Sequence, residues 1–388
     1  MEKSNRYIDY CTGCGLCESE LGIKFSINEK GYSVPNLSEK DFEFCEKVCP
    51  CGGKNISSST PWGDSNGIYY AWSNDAAVRK LASSGGVITS LCIYLIENHI
   101  VDGIIQTRAC ISPVYETETI VSSNVKEIKS CMGSRYSISR PIKDIHSLIQ
   151  PGKRYAFVGK PCDVAALRAY MNINETIKKS IVYLFSFFCA GMPSVNAQKE
   201  LMAALNVNEN DCKCLQYRGN GWPGYATAIC NNNISSSITY DESWGKILGR
   251  DVRRICRFCF DGIGLSADIS CGDAWYLGDD GKPDFSEGNG RNVVFLRSEK
   301  GKEIFERCLR ECVLCGERQT EKDLKYIQKY QYERRTTMIA KIAALYMERK
   351  TIPSYSYRTM IKLARRSSLR RQLSIFKGTL ERCKSGKI

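Results

Sequence analysis

The feature that most constrains this chain is a run of closely spaced cysteines near its start, Cys11-Thr12-Gly13-Cys14-Gly15-Leu16-Cys17, with Cys49-Pro50 farther on. C-x2-C-x2-C spacing puts three thiolates on one tight loop, and a remote Cys-Pro supplies the fourth, as in the ferredoxin type of 4Fe–4S site. The glycines allow the turns and let amide N–H groups approach the sulfurs. The pattern is incomplete in an informative way. Leu21 stands where the fourth cysteine of the first run is expected, and Glu39 and Phe42 replace the thiols a second run would need ahead of Cys45 and Cys49-Pro50. One cluster is therefore expected here, on Cys11, Cys14, Cys17 and Cys49, with Cys45 and Cys51 left over. A zinc ribbon is the alternative; the third close-spaced cysteine and the Cys-Pro disfavour it.

Cysteine usage bears on compartment. The chain carries 21 cysteines in 388 residues, and Met1-Glu2-Lys3-Ser4-Asn5-Arg6 lacks the apolar stretch of a secretory signal. Thiols of that number fit a reducing compartment, where they bind metal or do redox chemistry, so a cytoplasmic location is expected. The longest apolar run, Ser180 to Met192, is too short to span a bilayer and reads as a buried strand. Only His99 and His146 occur, which argues against His-rich zinc sites and His-based acid–base catalysis. The net charge of +13 is concentrated at the end: residues 347–388 hold twelve Lys or Arg against two acids. No recognisable nucleic-acid module accompanies that charge, so nucleic-acid binding is not expected.

After Cys51, Gly52-Gly53-Lys54-Asn55-Ile56-Ser57-Ser58-Ser59-Thr60-Pro61 reads as a linker. Beyond it, strand-like and helix-like segments alternate. Arg79 to Gly86 leads into a helix with apolar pairs Val87/Ile88, Leu91/Cys92 and Leu95/Ile96, with Ser83 and Ser84 as N-cap candidates. Its glycine pair would let a ligand approach the backbone, and a helix N-terminus favours phosphate; the bland reading is a capped helix. Strands are expected at Gly103–Arg108, Thr119–Ser123, Arg154–Val158 and Ile181–Phe188. Gly159-Lys160-Pro161-Cys162 then lies between a strand end and a helix from about Val164 to Met171, where open α/β sheets bind ligands.

The blocks Ala82–Ser90, Met132-Gly133-Ser134-Arg135-Tyr136, Gly159–Leu167, Phe188–Gly191, Cys256-Arg257-Phe258-Cys259, Ala267–Asp273 and Asn292–Arg297 are individually weak. Together and in this order they resemble the beta subunit of coenzyme F420-reducing hydrogenase and related dehydrogenases, here with a fused N-terminal ferredoxin-type segment. The resemblance covers about residues 68 to 310. It implies a flavin domain, FAD or another flavin, with its own 4Fe–4S cluster on Cys162, Cys189, Cys256 and Cys259. It places the flavin against Ser84, Gly85 and Gly86, against Gly133, Ser134, Arg135 and Tyr136, and against Gly159, Lys160 and Pro161. Thr89 adds a hydroxyl, and Arg135 and Lys160 neutralise phosphate. Cys131 and Cys271 have no clear role in that pattern. Cys308, Cys312 and Cys315 read as free thiols in a helical stretch, and Trp222 as a packing residue or a cover for the flavin.

The expected fold class is α/β (α+β): a ferredoxin-like domain over 1–60, a larger mixed-sheet flavin-binding domain with flanking helices over 68–330, and a basic helical tail over 331–388. Arg365, Arg366, Arg370 and Arg371, interleaved with Leu363, Leu369, Leu373, Ile375 and Phe376, suggest a basic amphipathic helix. It would lie on an anionic membrane surface, dock on an acidic partner, or be solvated. The chemistry expected is a short redox chain, with no catalytic residue assigned. Three readings stay open: a self-contained flavin- and iron–sulfur-dependent reductase fed by ferredoxin or another redox partner and acting on a small or glycan-linked substrate, with a link to polysaccharide synthesis; a beta subunit using coenzyme F420 for a hydrogenase or dehydrogenase partner; or a ferredoxin-like electron carrier without flavin. The fused ferredoxin-type segment gives the chain its own electron port, which favours the first slightly.

Overall fold

A computed structural model of the chain describes residues 5–52, 58–386 and 388. Half of the expected linker, residues 53–57, lies outside the described residues. The cysteine-rich segment forms two short helices, Asn5–Asp9 and Leu16–Leu21, a hairpin of β1 (Phe25–Ile27) and β2 (Ser33–Pro35), and the helix Phe42–Val48.

The body is a mixed sheet in the order β13-β3-β12-β11-β7-β6-β4-β5. Its strands are β3 (Gly67–Ser73), β4 (Gly103–Ala109), β5 (Thr117–Ser122), β6 (Tyr155–Gly159), β7 (Ile181–Phe187), β11 (Ile269–Asp273), β12 (Asn292–Leu296) and β13 (Leu314–Gln319). A three-stranded antiparallel sheet, β8 (Cys212–Gln216), β9 (Ala226–Cys230) and β10 (Ser235–Ile238), stands apart from it. In the large sheet β4, β6, β7 and β11 run parallel, and antiparallel strands flank them on both sides. The parallel strands are buried on both faces, as such strands must be when helices cover them. On one face Val87, Leu91 and Leu95 of the helix Val87–Glu97 and Phe305 of the helix Glu299–Arg310 pack on Ile269, Val294 and Leu296. On the other, Val164 and Leu167 of the helix Pro161–Met171 pack on Phe157 and Leu184, joined by Cys14, Leu16 and Val48 of the N-terminal segment. Burying a side chain such as Leu16 contributes about 1.5–3 kcal/mol, so the cysteine run is held against the large sheet by its own apolar residues.

Three local expectations are corrected. Ser83 and Ser84 do not cap the helix Val87–Glu97; Gly86, at φ 77°, does, and no side chain caps it. The left-handed turn directs the serine hydroxyls elsewhere, Ser84 Oγ to the Arg291 carbonyl at 2.9 Å and Ser83 Oγ to accept from Ser134 N at 2.6 Å. The next helix starts at Pro161, earlier than expected, because proline suits a first helical position. Cys308, Cys312 and Cys315 do not share a helix: the helix ends at Arg310, Cys312 turns the chain at φ 56°, and Cys315 lies on β13.

The last 60 residues fold as the helices Lys329–Thr336, Met338–Met347, Tyr357–Ala364 and Leu369–Lys384. Met338, Ile342, Leu345, Met360 and Leu363 share one core with Tyr7, Tyr10, Cys45, Phe258 and Phe260. No helix of the described residues is long and apolar enough to cross a membrane.

Candidate functional site

A cavity of about 1170 Å³ opens at the carboxyl ends of β4, β6, β7 and β11. That end of a parallel sheet is where loops gather backbone amides and leave room for a ligand. Ser84, Gly86, Thr89, Gly133, Ser134, Arg135, Tyr136, Gly159 and Lys160 all line it; Gly85 and Pro161 are not in its wall. Gly85 answers to packing: a Cβ there would sit 2.7 Å from the Ala71 carbonyl oxygen and 2.8 Å from Asn292 Oδ1.

The two cations assigned to phosphate differ in their engagement. Lys160 Nζ is already paired with Asp163 Oδ2 at 2.7 Å and donates to Ser139 Oγ at 2.6 Å. Arg135 donates only to the Ser134 carbonyl, at 3.0 Å, and its buried Nε has no acceptor among the described residues. Arg135 is therefore the better placed to receive an anion, together with the N-terminal amides of the helix Val87–Glu97.

Arg218, Tyr240 and Trp275, none of them singled out in the sequence, also line the cavity. Arg218, 4% exposed, makes a two-pronged pair with Asp273 at 3.0 and 3.2 Å, with its guanidinium 5.0 Å from the centre of the Tyr240 ring and 5.5 Å from that of Trp275. Asp273 pulls the Arg218 guanidinium up against the opposing effect of burial. Trp222 stacks on Trp275 with ring centres 4.5 Å apart and planes nearly parallel, and donates from Nε1 to Asp273 at 2.9 Å. Trp222 is thus a packing residue behind the wall, and Trp275 is the one that faces the cavity. The only signal was Gly272-Asp273-Ala274-Trp275 at the end of a block already singled out.

Cys11, Cys14, Cys17 and Cys49 line one small apolar pocket, and Cys45 joins them. Gly13 N donates to Cys11 Sγ at 3.3 Å, the amide approach that the glycine spacing anticipates. Burial, with the neighbouring thiols acting the same way, pushes the Cys14 and Cys45 thiols up to about 12. Cys51, the other leftover cysteine, places its Sγ 3.4 Å from that of Cys49. Arg253, 4% exposed, reaches this site: its Nη1 has no acceptor among the described residues and occupies the space a Cβ at Gly13 would fill.

Cys162, Cys189 and the Cys256/Cys259 pair come from three separate segments of the chain, and the fold brings them together. Burial raises Cys162, Cys189 and Cys259, and each lies within the field of other members of the set. The two thiol sets are neighbours, since Asp163 acts on both Cys14 and Cys162. Among the described residues no three thiols, carboxylates or imidazoles close to the geometry of a single bound ion. A 4Fe–4S cube instead spreads four thiolates over four irons, and two buried sets of soft sulfur donors without imidazole fit that group. His99 and His146 are both exposed, and neither lines the cavity or the pocket of the first thiol set.

Family models of the coenzyme F420 hydrogenase/dehydrogenase beta subunit match residues 68–145 (N-terminal region) and 152–322 (C terminus), together well over half of the chain. The F420-dependent formate dehydrogenase subunit beta of Methanocaldococcus jannaschii is 24% identical over 60% of this chain and 56% of its own length. The coenzyme F420-dependent sulfite reductase of the same organism is 24% identical over 78% of this chain and 47% of its own. The chain thus spans about half the length of these curated relatives. A chain of the F420-reducing [NiFe] hydrogenase complex from Methanosarcina barkeri shares the fold, with TM-score 0.53 and 19% identity over 73% of this chain and 96% of that one.

Proposed function

We propose a function from one premise: the chain belongs to the coenzyme F420 hydrogenase/dehydrogenase beta-subunit family. The relatives named above are subunits or enzymes of F420-dependent oxidoreductases, and an electron-transfer redox role follows for this chain. Of the three readings left open by the sequence, the second is the best supported: an electron-transfer subunit that uses coenzyme F420 at the cavity and serves a redox partner. The names of these relatives carry no link to polysaccharide synthesis.

The observation that carries the reading is a shared wall. Lys160, Asp163 and Cys189 border the cavity and also surround Cys162 of the second thiol set. A flavin in the cavity and a 4Fe–4S cluster on each thiol set would supply the conversion between hydride and single-electron chemistry. The chain's part is placement. Arg135 and the amides after Gly86 hold a phosphate. Trp275, Tyr240 and Phe285 give a flat ring an aromatic wall, and the Asp273 pair keeps Arg218 from swinging across it. Asp163, between the two thiol sets, keeps Lys160 at the cavity edge.

Anaerobic purification of the full chain tests this. About eight irons, eight sulfides and one flavin per chain are expected, and reduced viologen should then bleach added coenzyme F420. Zinc without sulfide, or a loaded protein inert toward F420, would overturn the reading. One observation favours the self-contained reductase: the first thiol set lies within the chain's own first 50 residues and offers an electron port without a partner subunit. That reading requires reduced ferredoxin to reduce the bound flavin with no other chain present.

A further inference from the structure

Beyond residue 322, where the family match ends, the helix Lys329–Thr336 lies across the loops that carry the second thiol set. Its Arg334 is 4% exposed and makes a dense set of contacts. Nη1 donates to the Cys189 carbonyl at 2.9 Å, and Nη2 donates to the carbonyls of Ala190 at 2.8 Å and Cys256 at 3.2 Å and to the Tyr330 hydroxyl at 2.8 Å. Gln331, one turn earlier, donates Nε2 to the same Cys189 carbonyl at 3.0 Å. The approach depends on Gly262, where a Cβ would lie 2.5 Å from Arg334 Nη1 and closer still to Gln331 Oε1. Gly262 in turn accepts from Cys189 N at 2.8 Å.

One buried guanidinium thus ties two ligand-bearing loops that are 67 residues apart in sequence. No carboxylate is paired with it among the described residues; its partners are carbonyls and a phenol. A charge this deep is costly without compensation, and the natural compensation is negative charge gathered on the thiol set.

We infer that Arg334 is a positioning residue for the second cluster, holding the Cys189 and Cys256 loops in register and raising the cluster's reduction potential through its fixed positive charge. The sign follows from electrostatics. Reduction of the cluster by one electron, supplied by the flavin or by the partner, adds one negative charge beside the guanidinium, which stabilises the reduced state more than the oxidised one. The inference rests on the proposed cluster at Cys162, Cys189, Cys256 and Cys259.

The test uses the full chain, purified anaerobically as wild type, R334Q, R334K and G262A. Iron and sulfide are measured, and both clusters are titrated by EPR against potential. R334Q should lower one of the two midpoint potentials and leave the other in place. R334K should shift the same one by less, and G262A, which displaces the guanidinium without deleting it, should move it in the same direction as R334Q. An iron-replete R334Q with both potentials unchanged overturns the inference. Should R334Q lose the second cluster, R334K decides: a retained cluster supports the role of the charge, and loss in both refutes it. A wild-type protein with only about four irons would refute the second cluster itself, an outcome distinct from an unmoved potential. R371Q, which breaks the 2.5 Å pair with Glu333 on the same helix, serves as control and should leave both midpoints in place.

Discussion

Asp268 shows how much one residue contributes when its surroundings are arranged for it. Its carboxylate, 1% exposed, accepts from Leu184 N at 2.8 Å, Arg168 Nη2 at 3.0 Å and Ser298 Oγ at 2.8 Å, with Lys300 Nζ at 3.2 Å. It joins β7, the entry to β11, the N-terminus of the helix Glu299–Arg310 and the helix Pro161–Met171. Asp268→Ala would leave the buried Leu184 amide without its acceptor, while the partly exposed Arg168 and Lys300 keep the Ser266 and Val182 carbonyls. A loss of about 1–3 kcal/mol is expected, visible as a lower urea midpoint, and an unchanged midpoint would refute this account. Nothing in the spacing of Ala267-Asp268-Ile269 marks this role, because its four donors come from distant parts of the chain. The cysteines behave differently. The first set was legible from local spacing, whereas Cys45 was left over by the pattern and enters the pocket only because the helix Phe42–Val48 turns it inward.

At the scale of an element, the entry to the helix Val87–Glu97 couples backbone conformation to the cavity. Gly86 holds φ 77° and borders the cavity, and Gly85 beside it is packed against β3 and β12. An alanine at 86 would carry a left-handed cost of about 1–2 kcal/mol, relieved only by moving the loop that carries Ser84. If the cavity holds the flavin proposed for it, Gly86→Ala should yield protein with less bound flavin but normal iron content, read from the flavin-to-iron ratio. Equal ratios would detach this turn from the cavity. Three of the four parallel strands, β4, β6 and β7, were legible as short runs rich in β-branched or aromatic residues, whereas β11, Ile269-Ser270-Cys271-Gly272-Asp273, carries no such run and was not expected as a strand. The cap was misread because Ser83 and Ser84 are good caps in isolation, and the local preference lost to tertiary hydrogen bonds with Arg291 and Ser134.

For the whole molecule, the final 60 residues belong to the same structure as the first 50. Tyr10 and Phe258 pack edge to face, Tyr355 donates to the Phe258 carbonyl at 2.8 Å, and Lys341 donates to the Arg257 carbonyl at 3.0 Å. A chain ended at residue 328 would expose Phe258, Phe260 and Tyr10 and leave the Cys189 and Cys256 carbonyls without their donors. It should be poorly soluble and bind less iron than the full chain, a difference that metal analysis of the two proteins would measure; equal iron content would show the tail to be dispensable. The basic helix Leu369–Lys384 keeps Leu369 74% and Leu373 51% exposed while its other side packs on the helix Met338–Met347 and reaches Glu333 through Arg371.

The sequence by itself determined the chemistry available to this protein: soft thiolates in ferredoxin spacing, almost no histidine, glycine turns at strand ends, and an alternating α/β pattern that resembles one family. These are legible because turn geometry, ligand type and periodicity are local properties of the chain. Tertiary structure alone decided which cysteines meet, that Lys160 is already paired while Arg135 is not, and that Arg334 closes over the second set. The reason is physical. Convergence of distant loops depends on burial and on hydrogen bonds between segments far apart in sequence, and such terms leave no periodic trace in any one of them.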